Sequence, residues 1–172
     1  MKERPILFKG EMVRAIMEGR KTQTRRIVKN TDLIETIEDG IPYYQDEYGD
    51  YHKTESACPY GKIGSLLWVR ETFNSDWCDH VIYKADGGSA ISAGYDSEPK
   101  WKPSIHMPRI ASRINLEITN IRVERLQDIT EEESQAEGVS SKGEFKLLWC
   151  AINGFDSWNE NPFVWVIEFK KV

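Results

Sequence analysis

Long hydrophobic runs are absent from this 172-residue chain. No apolar stretch approaches the roughly 18 residues that a membrane-spanning helix requires. The first five residues, MKERP, lack the apolar core of a signal peptide. With 40% hydrophobic and 30% charged residues, the composition is typical of an ordinary globular protein rather than a disordered one. We therefore expect a single domain in the cytoplasm, with no membrane partner.

Cysteine is scarce as well. Cys58, Cys78 and Cys150 are far apart and odd in number, which argues against a disulfide framework and fits a reducing compartment. Cys78 and His80 form a Cys-x-His pair, but the sequence has no second pair with the spacing of zinc ligands. We expect no metal and no cofactor, and the sequence leaves the oligomeric state open.

What the sequence does have is one basic island in an acidic chain. The net charge is −5, yet the first 30 residues carry nine Lys and Arg against three Asp and Glu, a net +6. The segment GRKTQTRR at positions 19–26 concentrates four basic side chains, two threonine hydroxyls and one amide. Such an island typically contacts an anion, a nucleic acid or a polar substrate. Because the rest of the chain is acidic, a nucleoside-sized or short ligand fits better than duplex DNA.

Hydrophobic periodicity predicts an α+β fold in which helices pack on a small mixed barrel. Strands are expected at 4–8, 24–28, 66–70, 81–83, 114–123 and 163–169. The strand at 114–123 is predicted to bulge near Asn120, and the last strand is predicted to be central in the sheet. A Gly/Ser-rich loop is expected at 87–94.

Three helices are predicted. The first, at 11–18, would bury Val13, Ile16 and Met17 and end at Gly19 in a left-handed cap. The second opens with the capping-box sequence TEEE at 130–133 and closes at Gly138. The third, at 144–152, places four apolar residues on one face: Phe145, Leu148, Trp149 and Ile152.

Residues 30–62 form the least regular part of the chain, with at most a hairpin expected. Its tyrosines admit two interpretations, a lid over a ligand or loop aromatics that face solvent; they are Tyr43, Tyr44, Tyr48 and Tyr51.

The order of these segments resembles the ASCH domain, a family of the PUA-like superfold. GRKTQTRR fits the family core G-[RK]-K-T-x-T-x-R, and RPILF precedes it. GKIG with LWVRETF (61–73), ITNIRVERL (118–126), EG (137–138) and VWVIEFK (164–170) follow in the family's order. The resemblance spans nearly the whole chain and is nearest to the longer phage and prophage form. It implies one ASCH domain over 1–172, a PUA-like small mixed β-barrel with flanking helices, and insertions at about 30–62 and 74–110.

The resemblance also implies a function. The family theme is recognition of RNA or modified nucleosides, and small bacterial members hydrolyse the amide of N4-acetylcytidine with a lysine, a threonine and a glutamate. It places these roles on Lys21, Thr24 and Glu137. The expected activity is an amidohydrolase for N4-acylated cytosine nucleosides. The alternatives are a module that binds RNA or a modified base without cleaving it, and a ribonuclease. The expected partner is a modified nucleoside or a short single-stranded RNA.

Amide cleavage needs a nucleophile, a proton acceptor and a proton donor for the leaving nitrogen. Thr24 would be the nucleophile, and Lys21 could accept its proton if burial or neighbouring cations keep the amine neutral. Glu137 would protonate the leaving nitrogen or hold the lysine. The competing interpretations are a solvated basic turn for Lys21 and Thr24, and a surface carboxylate for Glu137.

Further substrate contacts are expected from residues in the basic island and from exposed aromatic positions. Arginine stays charged and suits phosphate or carboxylate contacts better than chemistry, and tryptophan can stack on a base. Trp149 and Trp165 sit in apolar patterns and are predicted to be core. The predicted substrate-binding set is Arg20, Gln23, Arg25, Arg26, Trp68, Arg70 and Trp101.

Overall fold

The computed structural model describes residues 3–29, 36–38, 41–45, 48, 51–53, 58–75, 81–87 and 100–172. Cys78, His80 and the predicted loop residues beyond Gly87 lie outside this set, as do the side chains of Tyr43, Tyr44 and Tyr51. The lid of tyrosines therefore stays a prediction; Tyr48 is exposed. Within the described residues, no helix has the length and apolarity needed to cross a membrane.

The fold is α+β, as predicted, and centres on a five-stranded mixed sheet. In spatial order its strands are β1 (Arg4–Leu7), β6 (Leu66–Arg70), β9 (Asn115–Arg125), β10 (Phe163–Lys171) and β2 (Gln23–Ile27). β1 and β6 run parallel, and the other neighbours are antiparallel. The predicted central strand, β10, is an interior strand, but β9 takes the middle place. Among the strands of this sheet, β9 and β10 supply most of the buried apolar side chains, including Leu116, Ile118, Ile121 and Ile167.

Two irregularities shape this sheet. The register between β9 and β10 shifts where Glu168 pairs with Asn120 and Phe169 pairs with Ile118, which confirms the predicted bulge near Asn120. The two edge strands also approach each other, since the Arg26 guanidinium on edge strand β2 donates a 2.9 Å hydrogen bond to the Leu7 carbonyl on the opposite edge strand.

Three α-helices flank the sheet: α1 (Gly10–Met17), α2 (Glu131–Ala136) and α3 (Lys142–Asn153). The predicted burial of Met17 is wrong, since this side chain is 45% exposed and Ala15 joins Val13 and Ile16 in the core. The helix ends at Met17, and Gly19 then turns the chain with φ of 76°.

The helix starts follow local capping. Thr130 and Glu133 form the predicted capping box of α2, each bonding the other's backbone N–H. α3 begins two residues earlier than predicted because the Ser141 side chain accepts the Glu144 N–H and caps it there.

Short strands complete the fold. β3 (Thr36–Glu38), β4 (Ile41–Gln45) and β5 (Tyr51–Lys53) form a three-stranded antiparallel sheet. The expectation of at most a hairpin here is therefore wrong; the sequence IPYYQ of β4 is rich in residues that favour extended backbone and can pair on both sides. β7 (Phe73–Asn74) pairs with β8 (Ile82–Tyr83).

Candidate functional site

A cavity of about 590 Å³ lies where β1 and β2 meet α3 and the end of α2. Its floor includes two of the predicted catalytic residues, Thr24 and Glu137, and its walls are largely apolar. The predicted face of α3, Phe145, Leu148, Trp149 and Ile152, lines it in full. The cavity is also lined by Phe8, Lys9, Arg25, Arg26, Lys29 and Tyr60.

Lys21 and Glu137 form a buried ion pair directly behind this floor. The Lys21 Nζ donates to the Glu137 Oε2 at 2.7 Å and to the Glu137 backbone carbonyl at 2.8 Å. Lys21 is 2% exposed and Glu137 is 4% exposed, so neither is the solvated surface residue of the competing interpretation. The structure thus brings together a lysine and a glutamate that the sequence places on separate elements.

Backbone hydrogen bonds hold the Lys21 turn against the end of α2. The Lys21 N–H donates to the Ala15 carbonyl at 3.0 Å, and the Thr22 N–H donates to the Ala136 carbonyl at 2.9 Å. Gly138 permits this approach: its φ is +90°, and a Cβ there would lie 3.0 Å from the Ala15 Cβ and 3.1 Å from the Lys21 Cβ. The EG pair at 137–138 therefore supplies a carboxylate and the space for the lysine beside it.

Burial lowers the pKa of the Lys21 amine below its ordinary value of 10.5. The Glu137 carboxylate opposes this shift, and the nearby Arg26 and Arg25 guanidiniums add to it. Both Lys21 contacts are donations to oxygen, as an ammonium makes them. The contact has the geometry of an ion pair, and desolvation makes proton loss from Lys21 easier than from a solvated lysine.

Arg25 holds the same carboxylate from another side. Its buried guanidinium donates to the Glu137 Oε1 at 3.3 Å and to the Glu133 Oε2 at 2.9 Å, and it pairs with Glu124. Arg122 in turn bridges Glu124 and Glu133. Arg25 therefore spends most of its donors on carboxylates of the protein, whereas the sequence predicted a substrate contact.

Glu133 is held ionised by the same network. Burial alone would raise the pKa of its carboxyl, but the Thr130 backbone N–H and the Arg25 and Arg122 guanidiniums lower it below its ordinary value.

Thr24 is 1% exposed and lines the cavity. No hydrogen bond joins its hydroxyl to another of the residues described. Lys21 therefore contacts Glu137 directly, whereas Thr24 shares only the cavity lining with Glu137. Catalytic hydrogen bonds commonly tighten only when substrate is bound.

Two cavity residues carry a buried N–H without an acceptor in the described part of the chain, Arg25 at Nε and Trp149 at Nε1. A buried donor left unpaired costs about 1–3 kcal/mol. Each is therefore an unsatisfied donor buried in the cavity wall.

The remaining residues of the basic island are spread around the site. Arg26 lines the cavity, donating to the Leu7 and Arg25 carbonyls at 2.9 and 3.2 Å, and its guanidinium lies 5.3 Å from the Phe8 ring centre. Arg20 borders a separate depression and pairs with Glu18. Gln23 is buried, faces Arg122 across 3.5 Å, and borders a third depression.

Trp68, Arg70 and Trp101 are not among the residues that line the cavity. Trp68 is half-buried between two guanidiniums, with Arg70 at 5.3 Å and Arg109 at 5.9 Å from its ring centre. Arg70 also donates to the Met107 carbonyl at 3.1 Å. Trp101 is half-buried next to the bridge between Phe73 and Lys102. The structure does not bring this trio to Lys21, Thr24 and Glu137.

Lys9, Lys29 and Tyr60, which were not predicted as site residues, line the cavity together with Arg25 and Arg26 of the basic island. Lys9 and Lys29 stand just beyond β1 and β2, the two edge strands that approach each other. The available signal was their position at strand ends within the basic first 30 residues.

No family sequence model and no curated protein matches this chain. Among solved structures, the chain is similar to an ASCH domain from Lactobacillus crispatus JV V101, with 13% sequence identity and a TM-score of 0.49. That similarity covers 99% of this chain and 79% of the other. At this identity it transfers no residue roles, so the function is argued from the side chains themselves.

Proposed function

We propose that the protein is an amidohydrolase for N4-acylated cytosine nucleosides, with N4-acetylcytidine as the simplest substrate. Lys21, Thr24 and Glu137 would be its catalytic residues. The observation that carries the proposal is the buried Lys21–Glu137 pair at 2.7 Å. Glu137 also lines the cavity, as does Thr24. The resemblance of the GRKTQTRR segment to the ASCH core supports the same assignment.

The first half-reaction starts from the neutral form of the pair. Lys21 passes one proton to Glu137, a transfer that burial favours. The Thr24 oxygen then attacks the acyl carbon while its proton moves to the Lys21 amine. As the bond from the acyl carbon to N4 breaks, Glu137 gives its proton to N4. Cytidine leaves with a free amino group, and the acyl group is an ester of Thr24.

The second half-reaction hydrolyses that ester. Water attacks the acyl carbon and loses a proton through the Lys21–Glu137 pair, and the Thr24 oxygen leaves with a proton. The pair returns to its ionic form, and the products are a carboxylic acid and free Thr24. Arg25 keeps Glu137 in place through the 3.3 Å contact. The unpaired Arg25 Nε–H and Trp149 Nε1–H are donors for carbonyl oxygens of the substrate.

The direct test is incubation of purified protein with N4-acetylcytidine, with chromatography of cytidine and acetate. Wild type should release both in equal amounts, and Lys21→Met, Thr24→Val and Glu137→Gln should each lose at least about a hundredfold in kcat/KM, the range of a removed acid–base or nucleophilic group. Inactive wild-type protein, or full activity in Lys21→Met, would refute the proposal.

A matched control separates chemistry from folding. Glu71 is a buried carboxylate paired with Arg113 at 2.9 Å, and it does not line the cavity. Glu71→Gln removes a comparable buried charge and should retain kcat/KM wherever the protein is folded. Thr24→Ser, which keeps a hydroxyl, should retain part of the activity that Thr24→Val loses.

A second candidate is a module that binds RNA or a modified base without cleaving it. The Thr24 hydroxyl has no hydrogen bond to a base in the described residues, which favours this candidate. Wild type would then bind N4-acetylcytidine and release no acetate. Degradation of short single-stranded RNA without release of acetate would instead support a ribonuclease.

A further inference from the structure

Three cations stand around the cavity with no acidic partner in the described residues. We call Lys9, Arg26 and Lys29 the rim cations; all three line the cavity. Lys9 and Lys29 are exposed, and Arg26 is half-buried. Arg26 lies within edge strand β2, and Lys9 and Lys29 follow the ends of β1 and β2. The approach of these two edge strands brings the three cations to one cavity.

The carboxylates near the cavity are already committed. Glu137 is the cavity's own acidic residue among the described lining, and both its oxygens are taken, one by Lys21 and one by Arg25. Glu124 and Glu133 are held by Arg25 and Arg122. The described carboxylates therefore do not neutralise the rim cations, and the described residues at the cavity opening are net positive in a chain whose net charge is −5.

Arg26 is also oriented in advance. Two of its nitrogens donate to the Leu7 and Arg25 carbonyls, and the guanidinium lies over the Phe8 ring. A guanidinium fixed in this way loses little freedom when it binds an anion, which is the property that favours arginine at phosphate sites. Neutral carbonyls hold it without cancelling its charge.

We propose that the rim cations form a phosphate subsite, so that this cavity binds a nucleoside monophosphate more tightly than the free nucleoside. The inference rests on the proposed function, because it takes the cytosine ring to occupy the cavity. The walls offer aromatic side chains for that ring, Phe8, Tyr60, Phe145 and Trp149. The phosphate then lies at the opening, within reach of three positive charges.

A terminal phosphate fits better than a long chain. A cavity of about 590 Å³ holds one nucleotide and little more, and polyanion binding requires a continued basic track. Outside the first 30 residues the chain carries a net −11. The subsite therefore selects a small ligand with one concentrated charge.

The test compares cytidine 5′-monophosphate with cytidine by titration calorimetry at low and high salt. Both are product-type ligands without an acyl group, so binding is measured whether or not the protein is a hydrolase. Wild type should bind the monophosphate at least about tenfold more tightly at low salt, as two or three charge-assisted contacts to a partly solvated phosphate allow. The preference should shrink as salt rises.

Lys9→Gln/Lys29→Gln should lose most of this preference while its affinity for cytidine stays unchanged. Both lysines are exposed, so the variant should fold with an unaltered Tm. Lys146→Gln/Lys171→Gln makes the same change of charge at exposed positions outside the cavity and should keep the preference.

Equal affinity of wild type for the two ligands, no binding of either, or a full preference in Lys9→Gln/Lys29→Gln would overturn the subsite. A cytidylyl dinucleotide that binds more tightly than the monophosphate would show that the cations read a chain and not a terminal phosphate. A monophosphate preference without release of acetate from N4-acetylcytidine would leave the subsite standing and refute the hydrolase. Hydrolysis of N4-acetylcytidine without any preference for the monophosphate would support the hydrolase and refute the phosphate subsite.

Discussion

Lys21 and Glu137 are separated by 116 positions in the sequence, and their Nζ and Oε2 atoms lie 2.7 Å apart in the fold. Such a buried pair is unusual because desolvation of two charges is expensive and is repaid only when every polar atom finds a partner. Here the second Glu137 oxygen accepts from Arg25 and the Glu137 carbonyl accepts from Lys21. A polar group maintained at this cost is characteristic of functional sites.

The two halves of this pair should differ in their effect on stability. Glu137→Gln leaves the Lys21 ammonium and the Arg25 guanidinium buried with less compensating charge, and should lower the free energy of unfolding by about 3–5 kcal/mol. Methionine has a volume similar to that of lysine, and in Lys21→Met the Glu137 carboxylate still pairs with Arg25. This variant should therefore lose less free energy of unfolding than Glu137→Gln. Urea denaturation of both variants measures the difference, and a larger loss in Lys21→Met would contradict the geometry.

The lowered pKa of Lys21 predicts the pH dependence of stability. Between that lowered value and 10.5, the unfolded chain binds more protons at this residue than the folded protein does. The contribution of Lys21 to the free energy of unfolding therefore rises with pH across this interval and is constant above it. The measurement is the difference in unfolding free energy between wild type and Lys21→Met from neutral to alkaline pH. If the difference in unfolding free energy is independent of pH, or if the stability of wild type relative to Lys21→Met falls as pH rises, the pKa of Lys21 is not lowered in the folded protein.

Gly138→Ala should damage the site as well as the fold. The left-handed backbone costs an alanine about 1–2 kcal/mol, and the added Cβ would meet Ala15 and Lys21 at 3.0 and 3.1 Å. Gly87→Ala carries the first cost alone, because φ is +72° and nothing lies within 4 Å of its Cβ. Thermal denaturation should therefore show a greater loss for Gly138→Ala, which should also lose turnover of N4-acetylcytidine. Equal losses of thermal stability in the two variants would mean that the Lys21 turn shifts to accommodate the added methyl group.

Trp149→Phe should weaken ligand binding more than it weakens the fold. The indole N–H has no acceptor in the described residues, so its removal costs the unliganded protein little beyond packing. A ligand that uses this donor should lose up to about tenfold in affinity. Trp158→Phe is the control, since Trp158 packs on the same Phe145 ring at 6.3 Å but does not line the cavity. Equal affinity losses in the two variants would assign the effect to packing.

Local sequence patterns predicted the parts of this molecule that depend on neighbours in the chain. The Thr130–Glu133 capping box, the bulge near Asn120 and the apolar face of α3 all arise from spacing within one element. The prediction for Met17 was wrong because Met17 is the last residue of α1. A periodic pattern does not show where the core ends along a helix.

The site was predictable in part. The motif at 19–26 and the resemblance predicted Lys21, Thr24 and Glu137, and one predicted role of Glu137, to hold the lysine, agrees with the 2.7 Å contact. The function of Arg25 was not predictable, because its carboxylates come from β9 and α2, which are about a hundred positions away. Ion pairs between buried residues of different elements produce no periodic pattern in the sequence, so they cannot be predicted from local spacing.

The strand order has a consequence for how the protein is made. β2 carries Thr24 and Arg25, yet the described sheet pairs it only with β10, the strand of that sheet furthest from it along the chain. Until residues 163–171 are available, β2 has no hydrogen-bonded neighbour in this sheet, and the charges of Lys21 and Arg25 await carboxylates from Glu124 onward. Pairings of such long sequence separation form slowly. The basic island is therefore made before its carboxylate partners, and the cavity cannot form until α3 and β10 have been synthesised.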